Sequence, residues 1–262
     1  MSRLPTPSKE LGQHFLVDEN ILRVIGRLAE IQPDDVVLEI GPGQGVLTAF
    51  LAGQAGFLHT VELDRRLEPH LEERFGAMDN VRLYFADALR LDPAVLEPLP
   101  SKLVANLPYN VATPIVVESL DGLPTVSFWC VMVQREVADR FFAQPGTKAY
   151  GAVSVLIQLA AERTGSHLVS REVFRPRPNV DSALVAFRRR DEQPSVPWPE
   201  LKRLVEGAFA HRRKRLPNSL ELTGVADRER AEAALAELGR LPSTRAEELT
   251  PPDFVELAAA LR

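Results

Sequence analysis

The stretch LEIGPGQGVLT, residues 38–48, joins a predicted strand to a predicted helix. The β-branched run VVLEI (36–40) stops at Gly-Pro-Gly, and VLTAFLAGQ (46–54) then has helical spacing. Glycines such as Gly41 and Gly43 permit a tight turn and a close approach of the backbone to a ligand. The G-x-G-x-G spacing is neither that of dinucleotide-binding proteins nor a Walker A loop. On its own, the pattern is also that of an ordinary tight turn.

Strands and helices alternate along residues 36–134. This order is typical of a parallel sheet with helices on both faces, and such sheets bind ligands at the carboxyl ends of their strands. We expect a helix over 150–162 and a closing pair of strands over 166–174 and 182–190. Three prolines then mark a linker, DEQPSVPWPE (191–200), and the helical patterns after it predict a small all-α domain.

The composition is that of a soluble globular protein. Of 262 residues, 45% are hydrophobic and 26% are charged, and no apolar run approaches the roughly 18–20 residues of a membrane span. The N-terminal sequence lacks the apolar core of a secretory signal, so we expect a cytoplasmic protein without membrane contact. Cys130 is the single cysteine, which excludes an intrachain disulfide. The five histidines have no close ligand spacing, and we expect no metal.

Positive charge is concentrated in one segment of an acidic chain. The net charge is −5, yet residues 171–215 hold twelve Lys and Arg against six Asp and Glu. A local basic cluster, rather than the total charge, is what a phosphate-binding surface requires. The alternative is a solvated face of mixed charge.

Acidic residues follow the next two predicted strands. Glu62 ends the second strand about twenty residues after the glycines, where an acid can accept hydrogen bonds from both ribose hydroxyls of a nucleoside. Asp87 ends the third strand and can accept a bond from an adenine amino group. The alternative for each is a helix cap, a role we assign to Asp64. Together with the glycines, these acids indicate an adenosine-bearing ligand without a pyrophosphate, which fits S-adenosylmethionine.

The fourth strand ends in VANLPY, residues 104–109. Asn106 and the Leu107 carbonyl can both accept from an exocyclic amine, which localises its lone pair and makes it a better nucleophile. Pro108 stiffens the turn, and Tyr109 offers a flat face for a base, worth about 1–3 kcal/mol. The alternative is a plain turn.

Several motifs carry a family resemblance. NLPYN after EIGPGQG resembles the N6-adenine methyltransferases. Four further segments are similar to the rRNA adenine dimethyltransferases: LGQHFLVDENIL (11–22), VFRPRPNVDSALVAF (173–187), FAHRRKRLPNSL (209–220) and RAEELTPPDFVELAAAL (245–261). The last two look more like the housekeeping small-subunit enzymes than the antibiotic-resistance enzymes.

The resemblance implies a fold and an activity. The expected fold is α/β, a Rossmann-like and mostly parallel seven-stranded sheet with a small C-terminal all-α domain. It implies an arm over the cofactor (1–18), a catalytic domain (19–190) and an rRNA- or ribosome-binding domain (196–262). The implied reaction is dimethylation of the N6 groups of two adjacent adenines in the 3′-terminal hairpin loop of 16S rRNA, with S-adenosylmethionine as cofactor. The implied substrate is a pre-30S particle, and the enzyme is expected to be a monomer.

The resemblance also implies site residues. Those implied to hold the cofactor are Gln13, His14, Leu16, Gly41, Gly43, Glu62, Leu63, Asp87, Ala88 and Asn106. Those implied to form the target-base site are Asn106, Leu107, Pro108, Tyr109 and Phe174, with Phe174 as a second stacking ring or, alternatively, plain core. His14 stands where the family usually has Asn, and an imidazole can donate and accept much as an amide does.

Six cations are implied to contact rRNA phosphates: Arg175, Arg177, Arg212, Arg213, Lys214 and Arg215. Phosphate contacts position a protein without reading sequence. Two other functions stay open: methylation of 23S rRNA, which confers macrolide resistance, and a non-catalytic role in ribosome assembly.

Overall fold

The computed structural model describes residues 5–8 and 11–262. The described strands are β1 (Phe15–Leu16), β2 (Val36–Ile40), β3 (Phe57–Glu62), β4 (Val81–Phe85), β5 (Lys102–Asn106), β6 (Phe128–Gln134), β7 (Ala161–Val169), β8 (Phe174–Arg175) and β9 (Ser182–Arg189). The described α-helices are α1 (Glu19–Ala29), α2 (Val46–Ala52), α3 (Glu68–Phe75), α4 (Ala112–Gly122), α5 (Arg135–Phe141), α6 (Ala152–Ala160), α7 (Trp198–Ala210), α8 (Leu216–Leu222), α9 (Arg228–Glu237) and α10 (Pro251–Ala260). Not one of these helices has the length and apolar character that crossing a membrane requires.

Seven of the described strands form one sheet in the order β4-β3-β2-β5-β6-β9-β7. The neighbours from β4 to β6 are parallel, and β9 runs antiparallel to β6. This confirms the predicted α/β class with a mostly parallel seven-stranded sheet. Because β2, β3 and β5 are parallel neighbours, their carboxyl ends share one edge of the sheet.

The apolar character of the central strands leaves polar groups at their ends. In β6 every residue from Phe128 to Val133 is buried, as expected for a strand covered on both faces. The last residues of β3, β5 and β6 are Glu62, Asn106 and Gln134. These strands therefore place polar side chains together at the shared edge of the sheet.

A second, two-stranded sheet fixes the N-terminal arm. β1 pairs antiparallel with β8, so that Phe15 lies opposite Arg175 and Leu16 opposite Phe174. Phe15 and Leu16 are both buried. The residues of the predicted arm at 1–4 and 9–10 lie outside the described part of the chain.

The structure differs from the sequence predictions around residue 161. The helix expected over 150–162 ends at Ala160, and a nine-residue strand, β7, begins at the next residue. The strand expected over 166–174 ends at Val169 and is followed by a short 3-10 turn, Arg171–Val173. β7 lies at an edge of the sheet and most of its side chains are exposed, so it lacks the apolar alternation that identifies a strand.

The chain divides into two compact units. One contains the chain up to Ala138 and Arg163–Arg189, and the other contains Asp139–Glu162 and Arg190–Arg262. The second unit therefore includes α6 as well as the predicted C-terminal helices. Within it the Tyr150 hydroxyl donates to the Leu249 carbonyl at 2.7 Å, which joins the two parts of its sequence.

Candidate active site

A pocket of about 100 Å³ lies at the carboxyl ends of β2, β3 and β5. It is lined by the arm (11–16), the glycine turn and start of α2 (41–44, 46 and 47), Glu39, Glu62, Leu63, and residues 106–111. The predicted cofactor-binding residues among them are Gln13, His14, Leu16, Gly41, Gly43, Glu62, Leu63 and Asn106. Leu107, Pro108 and Tyr109 of the predicted target-base site line the same pocket.

The glycine turn has a backbone that other residues rarely adopt. Gly41 and Gly43 have φ values of 75° and 57°, in the left-handed region. A Cβ added to Gly43 would lie 2.8 Å from Cδ1 of Phe15, and one added to Gly41 would lie 3.4 Å from Cδ of Pro108. The turn is thus packed closely against Phe15 of the arm at Gly43, where a side chain would not fit, whereas at Gly41 it is the backbone conformation that favours glycine.

Glu62 is held in one orientation by backbone donors. Its Oε2 accepts from the Gly43 amide at 3.0 Å and its Oε1 from the Asp64 amide at 2.8 Å. The side chain is 6% exposed, and burial raises its pKa. Each carboxylate oxygen has a second lone pair, so Glu62 can still accept a hydrogen bond from a ligand hydroxyl.

Asp64 has the capping role that the sequence predicted. It accepts from the Arg66 amide at 3.1 Å at the start of a 3-10 turn. The Arg66 guanidinium and the Gln13 amide, which donates at 2.9 Å, favour the charged carboxylate and lower its pKa to about 2. Through Gln13, Asp64 also anchors the arm at the rim of the pocket.

Glu39 is a pocket residue that the sequence analysis missed. It lies in β2, is 1% exposed, and accepts from the Thr48 hydroxyl at 2.7 Å. Burial raises its pKa to about 8, and the nearby charge of Glu62 adds to the shift. The available signal was a carboxylate in the otherwise apolar run VVLEI, because an acid is almost never fully buried unless it has a partner.

The end of β5 presents Asn106 and Tyr109 to the pocket. The Asn106 amide nitrogen donates to the His14 carbonyl at 3.1 Å. The Tyr109 hydroxyl and the Ser182 hydroxyl are 2.5 Å apart, and burial raises the pKa of the tyrosine. The Leu107 amide donates to the Met132 carbonyl at 3.1 Å, which fixes the turn against β6.

Asp87 and Ala88 do not line this pocket. Asp87 accepts from the Leu89 amide at 3.0 Å and lies 3.6 Å from the Arg90 guanidinium, so its side chain holds a turn; no described helix begins there for it to cap. Ala88 lines a second cavity, of about 480 Å³, with Leu38 and Leu96 among its neighbours. The adenine-binding role of this pair stays a prediction.

The expectation that Phe174 is a second stacking ring is corrected. Phe174 is fully buried and packs in the hydrophobic core with Leu16, Ile21 and Leu184. Its pairing opposite Leu16 directs the ring into this core. The alternative assignment to plain core is therefore the one that the structure supports.

The predicted phosphate-binding cations differ in their environments. In the first unit, Arg175 donates to the Phe174 carbonyl at 2.9 Å, and Arg177 pairs with Glu172 at 2.8 Å. In the second unit, the basic turn (residues 212–215, RRKR) joins α7 to α8. Its residues 213–215 are exposed.

Arg212 has a structural role within the second unit. Its Nε donates to Glu247 Oε2 at 2.8 Å, and its two terminal nitrogens donate to the Lys148 and Thr147 carbonyls at 2.8 and 3.0 Å. Through these three bonds the guanidinium holds the start of the basic turn in place. A phosphate contact by Arg212 stays a prediction, and the structure supports a structural role for this residue.

Comparisons with known proteins identify the family. A model of the family described as ribosomal RNA adenine dimethylase matches residues 6–261. A Rubrobacter xylanophilus protein named ribosomal RNA small subunit methyltransferase A is 52% identical, with 97% of this chain and 95% of the relative covered. A protein of the same name from Ligilactobacillus salivarius is 42% identical, with 98% and 90% covered.

Two solved structures are also similar. A dimethyladenosine transferase from Plasmodium falciparum matches with a TM-score of 0.77 and 24% identity over 93% of this chain and 96% of that one, which supports the fold. The 23S rRNA methyltransferase ErmE matches with a TM-score of 0.66 and 30% identity over 94% of this chain and 99% of that one. The chain therefore belongs to the ribosomal RNA adenine dimethylase family and is an rRNA adenine methyltransferase.

Proposed function

We propose that this enzyme uses S-adenosylmethionine to dimethylate the N6 groups of two adjacent adenines in the 3′-terminal hairpin loop of 16S rRNA, within a pre-30S particle. The observation that carries the proposal is the Asn106 amide, held by the His14 carbonyl at the wall of the glycine-turn pocket. The names of the small-subunit relatives support the choice of substrate.

The pocket suits a cationic nucleoside cofactor. Two buried acids, Glu39 and Glu62, line it, and their carboxyl oxygens can accept hydrogen bonds from ligand hydroxyl or ammonium groups. The glycine turn lets the backbone approach the ligand closely, and Glu62 holds the ribose. Leu63, which is 55% exposed, supplies an apolar face for the adenine. When bound, S-adenosylmethionine supplies a methyl group on a positively charged sulfur.

Asn106 and the Leu107 carbonyl prepare the target amine. An adenine N6 group is a weak nucleophile because its lone pair is delocalised into the ring. In the first transfer Asn106 Oδ1 and the Leu107 oxygen each accept one N6–H, which draws the nitrogen toward tetrahedral geometry and localises the lone pair. In the second transfer one of these acceptors takes the single N6–H that remains. As the N6 lone pair forms the new N–C bond, the S–C bond would break with its electron pair staying on sulfur, which leaves S-adenosylhomocysteine. The methylated nitrogen, now positively charged, would release a proton to water, so the site needs no strong base. Tyr109 holds the base by stacking.

The rRNA is proposed to contact five of the six predicted cations. Arg213, Lys214 and Arg215 are exposed on the basic turn, and Arg175 and Arg177 lie on the first unit. Contacts of this kind release counterions, so binding should weaken strongly as salt rises. Adenines in a loop are poorly stacked, which lowers the cost of extruding one into the pocket.

The test is transfer of tritiated methyl groups from labelled S-adenosylmethionine to small ribosomal subunits from a strain that lacks the modification. Large subunits and naked rRNA serve as parallel substrates, and Asn106→Ala is the control enzyme. We expect label on small subunits alone, recovered as dimethyladenosine at two adjacent positions.

Two outcomes would replace the proposal. Label on large-subunit rRNA would favour the second candidate, a 23S rRNA methyltransferase, for which the similarity to ErmE is the specific observation. No label on any substrate, with cofactor bound, would favour the assembly factor.

A further inference from the structure

His14 makes three contacts, and each involves an element next to the proposed target-base site. Its carbonyl accepts from the Asn106 amide nitrogen at 3.1 Å. Its imidazole stacks on Tyr109, with ring centroids 5.3 Å apart and planes 29° apart. Its Nδ1 lies 2.7 Å from the Pro176 carbonyl oxygen. The residue therefore joins the arm to the end of β5 and to the segment after β8.

The carbonyl contact decides which way the Asn106 amide points. A carbonyl oxygen accepts but cannot donate, so the NH₂ group of Asn106 must face His14. The amide oxygen, Oδ1, is then directed away from the arm as an acceptor. A flipped amide would present N–H donors to the donor N6 group of adenine and would repel it. The arm thus selects the productive orientation.

The ring contacts hold that carbonyl in place. Because the Pro176 oxygen is an acceptor, Nδ1 of His14 carries the hydrogen and donates it. Stacking on Tyr109 holds one face of the imidazole ring. The register next to it, Phe15 opposite Arg175, keeps the arm in the same alignment. An asparagine here has no ring and cannot stack on Tyr109.

We propose that His14 is a positioning residue for the target adenine. Its carbonyl orients the amide of Asn106 so that Oδ1 is available as an acceptor. Its imidazole packs against one face of the Tyr109 ring, and the base stacks on the other face. The inference rests on the proposed roles of Asn106 and Tyr109. This role differs from the one predicted for Phe174, which was to stack on the base itself, opposite Tyr109.

The test compares His14→Asn, which removes the ring, with His14→Phe, which keeps a ring but loses the bond to Pro176. Two quantities are measured for each: the affinity for S-adenosylhomocysteine by calorimetry, and the methyl-transfer rate in a single turnover at saturating cofactor. The stacking of the base is followed separately, by 2-aminopurine fluorescence in small subunits reconstituted with this base at one target position.

For His14→Asn we expect cofactor affinity within about twofold of the parent, a transfer rate about tenfold lower, and weaker quenching of 2-aminopurine. His14→Phe should recover most of the quenching and part of the rate. A tenfold loss of S-adenosylhomocysteine affinity with a normal rate at saturation would instead make residue 14 a cofactor ligand and overturn the inference. Parent values for both variants would also overturn it.

Asn106→Ala separates this inference from the proposed function. If Asn106→Ala transfers methyl groups at the parent rate, the proposed acceptor itself is wrong. If Asn106→Ala is inactive and both His14 variants are normal, the proposed function stands and the positioning role of His14 fails.

Discussion

The cofactor pocket and the basic turn use charged residues in opposite ways. In the pocket, Glu39 and Glu62 are buried and fixed by nearby donors, so their protonation depends on the fold. In the basic turn, Arg213, Lys214 and Arg215 are exposed to solvent. The pocket therefore holds its acidic side chains in a fixed geometry, whereas the turn leaves its charged side chains accessible to solvent, as the proposed contact with rRNA requires.

The basic turn also contains its own contrast. Arg212 and Arg213 are adjacent and chemically identical, yet Arg212 is used in three internal hydrogen bonds. A run of basic residues therefore mixes a structural cation with cations that are available for binding. Arg212 differs from Arg213 because Glu247 and two backbone carbonyls lie within hydrogen-bonding distance of its guanidinium.

The largest expected effect is the loss of methyl-transfer rate in Asn106→Ala, which tests the fixed geometry of the pocket. Removing a preoriented acceptor from a site where charge develops typically lowers rates by about 100-fold or more. We expect methyl transfer to small subunits to fall by about this factor while particle binding stays within about twofold. Equal losses in both assays would show that Asn106 supports binding, and that the pocket and the RNA-binding surface are not separable.

The next effect is expected from Gly43→Ala. The new Cβ would lie 2.8 Å from Phe15 at a φ of 57°, so the arm or the turn must move. We expect cofactor affinity to fall at least tenfold and the free energy of unfolding to fall by about 1–3 kcal/mol, measured by calorimetry and urea titration. Gly122→Ala is the matched control, because an added Cβ there meets nothing within 4 Å. Similar losses in both variants would refute the close-packed turn.

Glu247→Gln tests the structural role of Arg212 in the basic turn, because charge alone and loss of structure predict opposite changes in rRNA affinity. Removing an acid beside a basic segment should by charge alone strengthen binding to RNA. Because Glu247 holds Arg212 at the start of the turn, we expect rRNA affinity instead to fall by about fivefold, or about 1 kcal/mol. Glu237→Gln removes an exposed acid of the same unit and serves as the charge control.

Arg213→Ala completes this test. It removes one proposed phosphate contact, so the slope of log affinity against log salt should fall by roughly 0.9. Filter binding between about 50 and 200 mM salt measures the slope. Stronger rRNA binding by Glu247→Gln would overturn the structural role of Arg212, whereas an unchanged slope for Arg213→Ala would overturn the phosphate contact.

The smallest expected effect is a change in how the free energy of unfolding depends on pH in Glu39→Gln. The folded-state pKa of Glu39 is about 8, raised by burial from 4.5, so between these values the unfolded state loses a proton that the folded state keeps. The free energy of unfolding of the parent should therefore fall as pH rises from about 4.5 to 8. Glutamine cannot ionise and removes this contribution.

Thermal melts at pH 5 and pH 8 measure the difference. We expect the Tm of Glu39→Gln, relative to the parent, to rise by a few degrees between the two pH values. A constant difference in Tm would mean that Glu39 is ionised in the folded protein, and the pocket would then resemble the basic turn in keeping its charge.

Sequence reasoning predicted the parts of the molecule that local pattern determines. Gly41 and Gly43 follow a strand and precede a helix, and Glu62 and Asn106 end apolar runs, so their common edge follows from parallel topology alone. Phe174 and Arg212 could not be assigned in this way. Whether Phe174 faces the core depends on its pairing with Leu16 in the arm.

The remaining differences also depend on distant contacts. Arg212 is structural because Glu247, thirty-five positions away in sequence, lies beside it. The start of β7 was missed because an exposed edge strand has no apolar alternation, and its pairing with β9 is what defines it. Glu39 was visible as a charge in an apolar run, but its burial was not.

The pairing of β1 with β8 spans only two residues on each side. A ladder this short contains few hydrogen bonds, so it can open in a local fluctuation whose free energy is far below that of global unfolding. The arm then behaves as a separately opening unit, and its amides should exchange with deuterium sooner than those of β5 and β6. We expect this opening to let cofactor enter and product leave while the sheet stays folded. In that case the rate at which the arm opens sets an upper limit on turnover, independent of the chemistry at Asn106.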